Sequence, residues 1–98
     1  MHALRFTWDP LKAATNARKH GVTFVEALTV FADEHALLLD DPDHSVGEER
    51  FVLLGMSGSL RLLVVVHRCT DQDRTIRIIS ARKASRSERA AYDERRTE

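Results

Sequence analysis

Apolar residues recur along the chain with two different periods, and each change of period marks a boundary between predicted elements. Phe6 and Trp8 alternate with polar neighbours, as in a short strand. Between 24 and 31 the apolar residues are spaced three and four apart, which is typical of a helix. Between 60 and 68 nearly every residue is apolar, which predicts a central strand covered on both faces. The predicted elements are a strand at 3–8, helices at 10–20 and 24–32, strands at 36–40, 50–55, 60–68 and 75–80, and a helix from 85 to about 95.

Local residues predict where the helices begin and end. Asp9 followed by Pro10 favours a helix start, with the aspartate as N-cap and the proline in the first turn. Gly21 suits the left-handed residue that closes this helix. The sequences from Thr23 and from Ser85 each carry a glutamate three residues later, which indicates two capping boxes.

The order strand, two helices, four strands, helix predicts an α+β fold. Because the connections are short, we expect an antiparallel sheet meander. The two N-terminal helices and the C-terminal helix are expected to pack against one of its faces. An antiparallel sheet tolerates an exposed face, and a functional site is expected there.

Length and composition limit the class of protein. A chain of 98 residues predicts a single domain spanning 1–98. No apolar run approaches the roughly 18 residues of a membrane span, and the N-terminus has no signal-peptide core, so we expect a soluble cytoplasmic protein with no membrane contact. The single Cys69 excludes an internal disulfide and a multi-cysteine zinc site.

The net charge of zero conceals an uneven distribution. Residues 1–49 carry four basic and nine acidic side chains, whereas residues 50–98 carry eleven basic and six acidic ones. Ten of those eleven are arginines, the residue best suited to forked recognition of phosphate. The second half therefore favours one basic face for nucleic acid.

Several segments resemble known catalytic or binding motifs but lack residues that those motifs require. Residues 55–59 resemble a nucleophile elbow but have serine at the second glycine position. Residues 41–45 resemble a calcium loop, yet the required glycine and the bidentate glutamate are missing. A glycine-rich nucleotide loop is absent, and neither His44 nor His67 has a partner at metal-ligand spacing. The sequence thus predicts neither cofactor nor metal.

The pattern that survives these tests is a dispersed set of basic residues. It consists of Lys12, Lys19, His20, Arg50, Arg61, Arg68, Arg77, Arg82 and Lys83. A basic sheet face with a nearby histidine could hold RNA phosphate and perform acid–base chemistry on a 2′-hydroxyl. In the alternative interpretation, these arginines pair with carboxylates of the acidic first half.

Four motifs run in order along almost the whole chain. They are Phe6-x-Trp8-Asp9-x-x-Lys12-x-x-x-Asn16-x-x-Lys19-His20-Gly21-Val22, Phe24-x-Glu26-Ala27-x-x-Val30-Phe31, Asp43-His44-Ser45-x-x-Glu48-x-Arg50 and Arg77-Ile78-Ile79-Ser80-Ala81-Arg82-x-Ala84. In these motifs the chain resembles the BrnT toxins. It departs from them at 58–61, where Gly-Ser-Leu-Arg stands in place of the usual Gly-Arg, which weakens Arg61 as a candidate.

The resemblance implies a RelE-like α+β fold and a bacterial toxin of a type II toxin–antitoxin pair. Such a toxin is a metal-independent endoribonuclease that cleaves RNA, with mRNA as the expected target, and arrests translation. Its implied partners are RNA and a BrnA-type antitoxin with a ribbon-helix-helix part. The hetero-oligomer of toxin and antitoxin binds operator DNA through the antitoxin and represses its own operon.

Roles follow for the residues that match the family's motifs. Arg77 and Arg82 are expected to neutralise the pentavalent phosphate, and His44 or His20 to transfer a proton. The residues expected to bind the RNA backbone are Lys19, Arg50 and Lys12, together with Lys83, which stands at an unspecified position of the last motif. The rival hypothesis is a non-catalytic binding module whose basic face docks an acidic partner or RNA.

Overall fold

The computed structural model describes residues 4–40, 50–70, 72 and 74–97. Over these residues the chain forms three α-helices and five strands in the predicted order, so the α+β class is confirmed. The elements are β1 (Arg5–Thr7), α1 (Pro10–His20), α2 (Phe24–Thr29) continued by a 3-10 turn (Val30–Ala32), β2 (Leu37–Asp40), β3 (Phe51–Met56), β4 (Leu62–Thr70), β5 (Thr75–Lys83) and α3 (Arg86–Arg96). No helix among these residues combines the length and apolar character needed to cross a membrane.

The caps of α1 are those that the sequence predicts. The Asp9 carboxylate accepts hydrogen bonds from the backbone N–H groups of Leu11 (2.8 Å) and Lys12 (3.5 Å), and Pro10 occupies the first turn. Gly21 closes the helix at φ 69°, in the left-handed region that glycine tolerates best, and its N–H donates to the Ala17 carbonyl.

The sheet has the strand order β1-β5-β4-β3-β2 and is mixed. Strands β2 to β5 form the predicted antiparallel meander. The expectation of a wholly antiparallel sheet is wrong for β1, which pairs parallel with β5. A parallel pair needs a long crossover connection, and the whole chain between the two strands provides it.

The helices pack on both faces of the sheet, which corrects the expectation of a single covered face. On the first face, α1, α2 and the 3-10 turn cover Leu53, Leu63, Val65, Ile78 and Ala81. On the second face, Tyr92 of α3 covers Leu54, Leu62 and Val64. The first half of β4 is apolar on both faces, as predicted. Both faces are therefore buried only if helices pack on each of them.

Tyr92 fastens α3 to the end of β3. Its hydroxyl donates to Asp33 Oδ2 at 2.6 Å, and the backbone N–H of Met56 donates to the same oxygen at 2.8 Å. Burial and the neighbouring carboxylate raise the pKa of Tyr92 to about 12, so the phenol remains a hydrogen-bond donor. As a result α3 covers only one end of the second face.

Register shifts once between β4 and β5. Val66 pairs with Ser80 and His67 with Ile78, so Ile79 is skipped as in a β-bulge. Up to that point alternation holds, and Arg77 shares the second face with Thr75. The bulge interrupts the alternation of side chains at Ile79 and Ser80, and both residues line a groove between α1 and the edge of β5.

Candidate functional site

Three arginines occupy neighbouring positions across the second face of the sheet. Arg68 of β4 pairs with Arg77 of β5, and Arg50 directly precedes β3 at the register position next to Arg68. All three side chains are half-buried. We call this set, which consists of Arg50, Arg68 and Arg77, the arginine row. With neighbouring strands about 4.8 Å apart, the row spans about 10 Å.

The arginine row lies beyond the part of the face that α3 covers. Tyr92 packs on Leu54, Leu62 and Val64, whereas Arg68 lies four residues further along β4 than Val64. On β5 the row continues sideways to Thr7, the register partner of Arg77 in β1. The row is therefore a basic, partly exposed strip with the hydroxyl-bearing Thr7 at one end.

Arg82 is on the same face but already has an anionic partner. Its Nη1 and Nη2 donate to Oε1 and Oε2 of Glu88, both at 2.8 Å. The guanidinium holds the pKa of Glu88 at about 2, with a further contribution from hydrogen bonding at the capping serine, Ser85. The predicted capping box is complete at this helix start, and Arg82 ties it to the sheet.

Arg61 is also held by a carboxylate, in line with its weaker candidacy. Its Nε donates to Glu26 Oε2 at 2.9 Å, its Nη2 donates to Oε1 of the same glutamate, and Ser57 Oγ adds a bond of 2.7 Å. The Arg61 guanidinium thereby holds the pKa of Glu26 below its usual range. The side chain of Glu26 is thus drawn away from Thr23, and only the Thr23 half of this capping box forms.

A groove runs between α1 and the edge of β5, with a volume of about 320 Å³. It is named here the α1 groove, and it is lined by Leu11, Lys12, Thr15, Asn16, Lys19, His20, Ile79 and Ser80. Ile79 and Ser80 are consecutive, and alternation would point them to opposite faces. The bulge at Ile79 lets both line the same groove. The structure thereby brings together the predicted residues Lys12, Lys19 and His20.

Asn16 fastens α1 to the edge of β5. Its carboxamide accepts from the Ala81 N–H at 3.0 Å and donates to the Ala81 carbonyl at 2.8 Å, as a neighbouring strand would. The same Nδ2 donates to the Val22 carbonyl at 2.9 Å, and the residue is only 6% exposed. Sequence reasoning treats Asn16 as one member of a polar stripe; its fixed spacing from Gly21 in the first motif is the signal that could have identified it.

The remaining predicted residues lie elsewhere. Lys83 ends β5 on the first face, where its charge contributes to the lowered pKa of Glu26 behind the larger effect of Arg61. His44 lies outside the described residues. Arg68 has no assigned role in the sequence prediction, and the strand register now places it between Arg50 and Arg77.

The buried histidine is unsuited to acid–base chemistry on a ligand. His67 is 2% exposed and packs against the rings of Phe31 and Phe51 on the first face. Burial lowers its pKa, so it is neutral near pH 7. Within the described residues, no three His, Cys, Asp or Glu side chains are grouped closely enough to hold a metal ion.

Comparison with known proteins identifies relatives of the chain. The family model described as "Ribonuclease toxin, BrnT, of type II toxin-antitoxin system" matches residues 8–88. The fold is similar to the 1.1 Å crystal structure of the Brucella abortus ribonuclease toxin BrnT, with a TM-score of 0.62 and 22% sequence identity. That alignment covers 86% of this chain and 100% of the Brucella chain. No curated protein sequence is significantly similar to the chain.

Proposed function

The chain belongs to the BrnT family of ribonuclease toxins of type II toxin–antitoxin systems, and we propose that it cleaves RNA on its arginine row as a metal-independent endoribonuclease. The observation that carries this proposal is the alignment of Arg50, Arg68 and Arg77 across neighbouring strands, outside the cover of α3. Arginines on adjacent strands of one face present forked guanidinium donors, which bind phosphate oxygens in pairs. The RelE-like character of the fold stays a prediction.

The proposed reaction is an internal transesterification. The ribose 2′-oxygen attacks the adjacent phosphorus, the bond from phosphorus to the 5′-oxygen breaks, and the products are a 2′,3′-cyclic phosphate and a 5′-hydroxyl. A base takes the 2′-hydroxyl proton, and an acid returns a proton to the leaving oxygen. His20 or His44 is the proposed carrier of this proton.

The arginines supply charge stabilisation where the transition state needs it. Negative charge grows on the phosphoryl oxygens as the fifth bond forms, and fixed guanidinium groups stabilise it. Arg77 is the proposed principal ligand, because no ion pair of this side chain occurs within the described part of the chain. Arg82 can join it only by exchanging Glu88 for phosphate. Lys12, Lys19, Arg50 and Lys83 are the proposed contacts to the RNA backbone.

The cellular role proposed is inhibition of translation by cleavage of mRNA in the cytoplasm. A type II system has a protein antitoxin, and we infer a BrnA-like partner with a ribbon-helix-helix part that neutralises the toxin. The hetero-oligomer would bind operator DNA through that part and repress its own operon. These inferences rest on the family membership.

The test is cleavage of a fluorescent single-stranded RNA by the purified protein, with and without EDTA. We expect cleavage to survive EDTA and to leave a cyclic phosphate at the 3′ end. Arg77→Gln should lower the rate by about 100-fold or more, the usual effect of removing one fixed transition-state donor. Arg89→Gln, at an exposed arginine of α3, is the matched control and should stay within about twofold.

Two results would overturn the proposal. Binding of RNA without cleavage would favour the non-catalytic binding module, and loss of cleavage in EDTA would refute metal independence. In bacteria lacking the antitoxin, the wild-type chain should arrest growth and translation. Expression of the Arg82→Ala variant in parallel measures how much Arg82 contributes to this arrest.

A further inference from the structure

The α1 groove combines apolar and cationic surface in one place. Leu11 is 79% exposed at the start of α1, and it lines the groove together with Ile79. Thr15 and Ser80 add hydroxyl groups. The groove therefore offers an apolar contact for a ring and hydrogen-bond donors and acceptors for its edge.

The α1 side of the groove carries the positive charges of two lysines. Lys12 and Lys19 are exposed and seven residues apart on α1, which separates their backbones by about 10 Å along the helix axis. Of the described residues that line the groove, none is acidic. The phosphates on either side of a single nucleoside could thus each meet an ammonium group.

The size of the groove fits one nucleotide. Its volume of about 320 Å³ is at the lower end of the range for small-ligand sites, about 300–1,000 Å³. Asn16 keeps the groove preformed, because two of its hydrogen bonds hold α1 against β5 at Ala81 and a third holds the segment after α1 at Val22.

The groove and the arginine row share β5. Ser80 lines the groove and Arg77 belongs to the row, and three residues of strand separate them by about 10 Å. The groove lies on the α1 side of the β5 edge and the row lies on the second face, so one RNA chain that contacts both passes around that edge.

We propose that the α1 groove is a nucleotide subsite that receives one unpaired, unstacked nucleotide next to the linkage cleaved at the arginine row. The proposal rests on the proposed ribonuclease function for the position of cleavage, but not for the binding itself. In duplex RNA the bases stay stacked and paired, so none can enter the groove. The protein then binds single-stranded RNA and rejects the same strand in a duplex.

The test separates binding from cleavage by using RNA with 2′-O-methyl groups, which lacks the attacking hydroxyl. Affinity is measured by fluorescence anisotropy for a labelled single strand and for the same strand annealed to its complement. We expect the single strand to bind at least about tenfold more tightly, because the bases of a duplex stay stacked and paired and cannot reach the groove. In NMR spectra the amides of α1 and of Ile79 and Ser80 should shift on binding.

Two variants probe the groove, and a neighbouring residue serves as control. Leu11→Glu should weaken single-strand binding about tenfold or more, and Lys19→Gln about threefold to tenfold. Both side chains are exposed, so the fold is expected to be unaffected. Arg18→Gln removes the same charge from the next residue of α1, outside the groove, and should change affinity by less than about twofold.

Equal binding of single strand and duplex, or unchanged affinity in Leu11→Glu and Lys19→Gln, would overturn the subsite. Shifts of the α1 amides with no cleavage of unmodified RNA would support the subsite and refute the ribonuclease proposal. Cleavage of unmodified RNA at an unchanged rate in both variants would support the ribonuclease proposal and refute the subsite.

Discussion

Two groups of arginines differ in what surrounds them. Arg61 and Arg82 each lie against a glutamate and each connect two elements: Arg61 joins the turn after β3 to α2, and Arg82 joins β5 to α3. The arginine row instead places guanidinium groups on neighbouring strands of one face.

The difference separates two uses of one residue type. A guanidinium held by two carboxylate oxygens has its charge balanced by the protein itself, and it serves the fold. Guanidinium groups at adjacent register positions place several forked hydrogen-bond donors on one face, which is the type of group that recognises phosphate. The alternative interpretation is confirmed for Arg61, which pairs with Glu26 of the acidic first half. Arg82 pairs instead with Glu88 of the second half, and the use of the arginine row for nucleic acid stays a prediction.

The largest stability effect is expected for the first group, at Glu26. Glu26→Gln removes the charge that Arg61 and Ser57 share, and should lower the free energy of unfolding by about 1–3 kcal/mol. Urea denaturation at pH 7, followed by Trp8 fluorescence, measures it. Glu34→Gln, at a carboxylate that is 88% exposed, is the control and should change it by less than about 0.5 kcal/mol. Equal effects of the two variants would contradict a structural role for the Arg61 pair.

A smaller loss, about 1 kcal/mol, is expected for Glu88→Gln, which weakens the Arg82 pair and the capping box of α3. The pKa of Glu88 falls from 4.5 to about 2 on folding, so the ionised group stabilises the fold fully above pH 4.5. That contribution is lost as the pH falls from 4.5 towards 2. Denaturation at pH 7 and pH 3 should show a smaller loss in Glu88→Gln than in the wild type. Matching losses would refute the pair as the source of the lowered pKa.

The smallest stability effect is expected at the arginine row. Arg77→Gln removes a guanidinium that forms no ion pair within the described residues, and it should leave the free energy of unfolding within about 0.5 kcal/mol of the wild type. The same urea denaturation measures it. If Arg77→Gln lowered the free energy of unfolding as much as Glu26→Gln does, Arg77 would belong with the structural arginines. The two groups of arginines would then not differ.

The parts of the fold that depend on nearby residues could be predicted from the sequence. Asp9 with Pro10, Gly21, and Ser85 with Glu88 act within a few residues of each other, and all form as expected. The α+β class follows from the order of elements in the same way. For the site, the sequence identifies the basic residue types and, by resemblance, the family.

What the sequence could not predict depends on contacts between distant residues. Glu26 has the spacing of a capping box, yet Arg61 competes for it from 35 positions away. Nothing local shows that α3 crosses to the second face, or that β1 reaches the edge of β5. Arg68 becomes a neighbour of Arg77 only through the strand register, and the α1 groove depends on one skipped residue. Each of these features required the three-dimensional arrangement.

The carboxamide of Asn16 has a consequence for how the protein behaves among its own copies. Ala81 pairs with Val65 on one side, and on the other side the amide of a helix occupies the place of a missing strand. Open strand edges are templates on which a second chain can add its own strand, and they lead to aggregation. At Ala81 the side chain of Asn16 occupies both backbone groups that face this edge, so a second strand cannot form hydrogen bonds with them.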